Sequence, residues 1–167
     1  YLERLSQSAN ISLQSSNNIV LDLQGDTLNF TTSGRTLSLT AGNTISTAST
    51  GTITTNNGAI SLTGTNGITF GHAFTINSGT AATTLTSTNA PININAALTL
   101  VGASTINAGT GTITTTASIT NATNSLTLKA DNMTIGAALA GNGSLYIAPG
   151  TNNRTLNFGT ATGALDW

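Results

Sequence analysis

The sequence predicts an all-β chain wound as a parallel β-helix, with about 20 residues and three short strands in each coil. Three observations lead there. A phrase occurs twice: Thr50-Gly51-Thr52-Ile53-Thr54-Thr55 returns as Thr110-Gly111-Thr112-Ile113-Thr114-Thr115, sixty residues further on. Self-similarity at a fixed offset marks a repeat architecture. Aliphatic residues also recur as triplets around one small polar residue, the period of two that belongs to strands. Finally, these triplets stand mostly seven to nine residues apart, punctuated by Gly and Asn. Both residues tolerate the positive φ of a sharp corner. Sandwich strands usually run to about five or six residues, longer than these. On this reading the sixty-residue offset is three coils, and residues 1–167 form a single solenoid segment. Seven or eight coils stacked about 4.8 Å apart would make a rod about 35 Å long.

Taken in order, Tyr1-Leu2-Glu3-Arg4-Leu5 is too short to separate a helical turn from a first strand. Ile11-Ser12-Leu13 is the first alternating triplet. In Ile19-Val20-Leu21-Asp22-Leu23 the aliphatics at Ile19, Leu21 and Leu23 share one face and Asp22 takes the other. Gln24-Gly25-Asp26 signals a turn. Leu28-Asn29-Phe30, Leu37-Ser38-Leu39, Ile45 and Ile53 follow, then Ile60-Ser61-Leu62, Ile68-Thr69-Phe70 and Phe74-Thr75-Ile76. Asn57-Gly58, Asn66-Gly67 and Ser78-Gly79 separate them. The pattern continues through Leu85, Ile92-Asn93-Ile94, Leu98-Thr99-Leu100, Ile106, Ile113, Ile119 and Leu126-Thr127-Leu128. It ends with Met133-Thr134-Ile135, Leu145-Tyr146-Ile147 and Leu156-Asn157-Phe158. Ala137-Ala138-Leu139-Ala140, bounded by Gly136 and Gly141, reads as a loop or an irregular coil. Inward Ile and Leu should stack on their own kind, with Thr, Ser and Asn outside.

Charged residues make up 5% of the chain, and none occurs between Thr36 and Leu128. A formal net charge of -1 provides no basic face for phosphates or for an anionic membrane surface. Disorder pairs low hydrophobicity with high net charge, and this chain, 38% hydrophobic, has neither. There is no Cys, hence no disulfide or thiolate metal site. No apolar run is long enough to span a membrane as a helix. The start at Tyr1 suggests a processed product or an internal segment.

Ala9-Asn10-Ile11-Ser12-Leu13-Gln14-Ser15-Ser16-Asn17-Asn18-Ile19, Leu37-Ser38-Leu39-Thr40-Ala41-Gly42-Asn43-Thr44-Ile45 and the phrase Thr50–Thr55 carry a family resemblance. The chain resembles, from about Ala9 to Phe158, the repeat region of filamentous-haemagglutinin-like exoproteins of two-partner secretion. The resemblance implies a right-handed β-helix and export through an outer-membrane transporter. It also implies a secreted, extracellular or cell-surface location, and roles in adhesion or fibre formation. Surface carbohydrate or neighbouring cells would be its partners. The family's secretion domain carries Asn-Pro-Asn motifs; the nearest sequence here is Asn89-Ala90-Pro91.

No residue is assigned as catalytic, cofactor-binding or metal-binding. His72, the single histidine, sits in Gly71-His72-Ala73 far from any carboxylate or cation in sequence, and reads as a turn residue. Asp22, Asp26 and Arg35 could meet on stacked coils, as could Lys129 and Asp131, but so few charges suit solvated surface pairs better than catalysis. Thr pairs at Thr52/Thr54, Thr63/Thr65, Thr84/Thr86 and Thr112/Thr114 would bind ice only if aligned on one face, and their spacing is uneven. Sequons at Asn10, Asn29, Asn121, Asn132, Asn142 and Asn153 match what such a composition yields by chance.

The functional expectation is a non-catalytic structural segment, an adhesin shaft or filament block, with an ice-binding solenoid and a β-helix carbohydrate enzyme as alternatives. No cap is evident at either end, so the expected partner is itself, through end-to-end stacking or further coils of the same chain.

Overall fold

Nine parallel strand pairings stack coil upon coil in the first eleven-stranded sheet, and five more build the second.

 A tenth pairing in the larger sheet, which joins Leu126 to Leu145, opens one coil more. The result is a parallel β-helix of six coils and the start of a seventh. The structure, a computed structural model, describes residues 2–152 and 154. The expected strand Leu156-Asn157-Phe158 and the sequon at Asn153 lie outside the described residues.

Coil one holds β1 (Ile11–Ser15), β2 (Ile19–Leu21) and β3 (Thr27–Phe30). Coil two holds β4 (Leu37–Ala41), β5 (Ile45–Thr47) and β6 (Gly51–Thr55), and coil three β7 (Ile60–Gly64), β8 (Ile68–Phe70) and β9 (Phe74–Asn77). Coil four holds β10 (Thr83–Ser87), β11 (Ile92–Ile94) and β12 (Leu98–Val101). In coil five, β13 (Ser104–Thr115) runs through a corner before β14 (Ile119–Asn121); in coil six, β15 (Leu126–Ile135) does the same before β16 (Leu139–Ala140). The last strand described is β17 (Leu145–Ala148).

Three faces result. The first carries β1, β4, β7, β10, the starts of β13 and β15, and β17. The second carries β2, β5, β8, β11 and the ends of β13 and β15. The third carries β3, β6, β9, β12, β14 and β16. Alternation puts one set of side chains into a shared interior. Ile45, Ile68, Ile92 and Ile113 stack in register there, each at most 1% exposed. Leu39, Leu62, Leu85, Ile106 and Leu128 form a second inward column. Burying each such side chain contributes about 1.5–3 kcal/mol.

The registered positions Ile11, Leu37, Ile60, Thr83, Ser104, Leu126 and Leu145 mark coils of 26, 23, 23, 21, 22 and 19 residues. The sixty-residue offset is therefore not three coils. Ile53 lies on the third face, and counting three coils on from it through Ile76 and Leu100 reaches Asn121. Ile113 lies on the second face, against Ile92. Most coils are longer than the repeat suggests because their corners take extra residues.

Those corners are stapled in a recurrent way. A side-chain oxygen on one coil accepts from a threonine on the next. Asn18 Oδ1 accepts from the Thr44 amide at 3.3 Å and hydroxyl at 3.0 Å. Asn57 Oδ1 accepts from the amide and hydroxyl of Thr80 at 2.9 and 3.0 Å, and Asn89 Oδ1 from the Thr110 amide at 3.1 Å. Asn57 and Asn89 both have φ of 60°, a conformation that asparagine tolerates better than most residues. Asn66 and Asn43 add a side-chain ladder, each donating to the asparagine of the preceding coil.

Two local expectations change. The first residues form a helix, α1 (Leu2–Ser6), which packs against β3. Ser6 is fully buried and its hydroxyl donates to the Asn29 carbonyl at 2.8 Å, while Thr32 Oγ1 donates to the Gln7 carbonyl. A partial cap therefore does cover the amino end; five residues were too few to display a helical period. Leu139–Ala140, read as loop, is the strand β16, because Ile119 pairs with Leu139 and draws the segment into the third face.

Candidate interaction faces

The sequence-selected charges do not converge. Asp22 and Asp26 are exposed in the turn after β2, and Arg35 is half-buried in the turn before β4. Among the described residues the only ion pair is Arg154 with Asp131, at 3.5 Å. Asp131 is thus joined to Arg154 rather than to Lys129. Its carboxylate also accepts from the Thr151 amide at 2.8 Å and the Thr151 hydroxyl at 3.0 Å, the ionised form of the corner staple. Burial pushes the Asp131 carboxyl up. The Thr151 amide and hydroxyl, the Arg154 guanidinium and the Gly150 amide outweigh that and hold it below its ordinary value.

His72 is exposed at a corner of coil three. Its amide donates to Thr47 Oγ1 and its Nδ1 lies 3.1 Å from the Thr47 carbonyl. No group of three His, Cys, Asp or Glu that could hold a metal occurs among the described residues. Asn121, one of the sequon asparagines, is buried and its amide donates to the Ser125 carbonyl at 2.9 Å, so a glycan could not attach there in this fold.

The threonine pairs divide among faces. Thr52 and Thr54 lie on the third, Thr84 and Thr86 on the first, Thr112 and Thr114 on the second, and Thr65 sits in a corner. A different alignment emerges from the register. On the first face Ser38, Ser61, Thr84 and Thr105 form one outward column through coils two to five. Thr40, Thr63, Thr86 and Asn107 form a second beside it. On the third face Thr27, Thr52, Thr75, Thr99 and Thr120 form a single column. Sequence spacing hid these columns because coil length varies; only pairing registers reveal them.

Corner hydroxyls are engaged within the protein, as at Thr44, Ser78 and Thr80. None of the hydroxyls in the two first-face columns makes a hydrogen bond among the described residues. They are half-buried at their bases and face solvent.

The ends differ from the flanks. Among the described residues every exposed large hydrophobic lies in α1, coil one or the last coils: Leu5, Leu13, Val20, Ile135, Leu145 and Tyr146. At the amino end Leu13, Ile19, Leu21, Leu23 and Leu39 help to line an apolar cavity of about 190 Å³. A polar groove of about 410 Å³ runs beside Asn29, Thr54, Asn56, Asn57 and Asn77. Comparison with protein-family models, with curated proteins and with solved structures finds no match to this chain.

Proposed function

We propose that the chain is a non-catalytic structural segment in the shaft of a secreted cell-surface protein. Its ends are completed by further coils of the same chain or by copies stacked end to end. The observation that carries this reading is the confinement of exposed large hydrophobics to the two ends of the described solenoid. A terminal coil also offers unpaired strand edges that invite more strands. The haemagglutinin-like repeat pattern supports the same reading, with export through an outer-membrane transporter and adhesion to surface carbohydrate or neighbouring cells as its context.

Electron microscopy and light scattering on the 167-residue chain test it. Rods of variable length, or end-to-end association that Val20→Lys and Tyr146→Lys weaken, are expected. A dilution-resistant monomer whose terminal-coil amides resist hydrogen exchange as well as those of coils three and four would overturn it.

A further inference from the structure

We propose that the first face is an ice-binding surface. Its two outward columns hold a hydroxyl at every position through coils two to five except Asn107. Strand preference alone does not account for this. Val, Ile and Tyr fit an outward strand position as well as Thr does, and Ser lacks the branched carbon that favours strands. None of those three occupies either column in these coils, whereas Ser38 and Ser61 precede Thr84 and Thr105 in the same file. The shared property is the hydroxyl.

The geometry suits a crystalline partner. Coils are about 4.8 Å apart, and alternate residues of a parallel strand about 6.6 Å apart, so the hydroxyls form a near-rectangular net. A fixed net of hydroxyls can order water oxygens into a repeating array, which is what a crystalline face of ice presents. Backbone pairing to a coil on either side holds each position, so little ordering entropy remains to be lost on binding. None of these hydroxyls has a hydrogen-bond partner among the described residues. No charged residue occurs between Thr36 and Leu128 to impose a different hydration pattern. Crystalline polysaccharide also offers flat ranks of hydroxyls. On the first face these four coils present no Phe, Tyr or Trp ring on which a sugar could stack, and that favours ice.

The test is thermal hysteresis and ice-crystal shape, measured on the full chain. Wild type should lower the freezing point below the melting point and facet the crystals. Thr63→Lys/Thr86→Lys should abolish both effects while leaving the circular dichroism unchanged. Thr52→Lys/Thr75→Lys, on the third face, should retain them. If the lysine variant misfolds, Thr63→Ala/Thr86→Ala takes its place and should reduce the hysteresis. Absence of hysteresis and shaping in the wild type overturns the proposal. So does loss only in the third-face variant, or retention on crystalline cellulose or chitin without retention on ice. The outcome does not depend on what covers the ends.

Discussion

The phrase Thr-Gly-Thr-Ile-Thr-Thr occupies two different environments. Its first copy lies on the third face in coil two, between β3 and β9. Its second lies in the corner and second face of coil five, between β11 and β15. In both copies the isoleucine and the last threonine are buried, and the threonines on either side of the isoleucine are half-exposed. Six identical residues therefore specify which side chains turn inward, without specifying the face on which they do so. Alternation is a local property. The face depends on the summed length of the corners before it.

The strongest test of that comparison concerns the isoleucines. Ile53 and Ile113 are 1% and 0% exposed. Ile53→Asp and Ile113→Asp each bury a carboxylate without a partner and should each cost more than about 4 kcal/mol in denaturant unfolding. If one is tolerated, that copy does not face inward.

The glycines should separate the copies. A Cβ on Gly51 would lie 2.6 Å from Leu23 Cβ, in the partly open first coil. One on Gly111 would lie 2.4 Å from the Ala90 carbonyl oxygen, against the backbone of the coil before it. Gly111→Ala should therefore destabilise by about 3 kcal/mol and Gly51→Ala by about 1 kcal/mol, within the range for overpacking. Equal melting temperatures for the two variants would break the distinction.

The last threonines should differ in sign. Thr55 Oγ1 donates to the Gly58 carbonyl. Thr115 Oγ1 is buried without a hydrogen-bond partner among the described residues. Thr55→Val should cost about 1 kcal/mol, whereas Thr115→Val removes an unsatisfied hydroxyl and should stabilise by about 1 kcal/mol. Destabilisation of both by the same amount would mean that the second hydroxyl finds a partner.

Acid should act on the surroundings of the second copy through Asp131. Asp131 stands one coil beyond the corner that opens the second phrase, since Gly109 pairs with Ala130 and Thr112 with Asn132. Its folded pKa is lowered. Its contribution is therefore fully present above the ordinary aspartate value of about 3.9 and is lost as pH falls through the lower folded value. As pH falls through that lowered value, exchange of amides near Thr151 should speed up relative to those near Thr80, whose staple to Asn57 does not titrate. Asp131→Asn should abolish that difference in pH response.

Most of the interior was legible in the sequence. Ile60-Ser61-Leu62 and Ile92-Asn93-Ile94 show their inward residues directly, and both pairs are buried. Coil boundaries were less legible. The turn before β4 takes six residues, Thr31–Thr36, whereas the one before β13 takes two, Gly102 and Ala103. Both satisfy the same geometry, so no fixed period marks them. The hydroxyl columns are a product of those boundaries and were hidden with them. Asp131 was legible as a charge, but its link to Thr151 crosses 20 residues and depends on coil length.

The unequal coils also give the rod a direction. Coil length goes from 26 residues in the first coil to 19 in the sixth, and the corners take up the difference. Phe30, Phe70 and Phe74 fill the interior of coils one and three, while small residues stand inward at Ala41, Ala108 and Ala130. A second copy seated head to tail would set a 26-residue coil against a 19-residue one, with the surplus residues in its corners. Any head-to-tail contact between copies must therefore match corners of unequal length, a constraint that winding within one chain meets coil by coil.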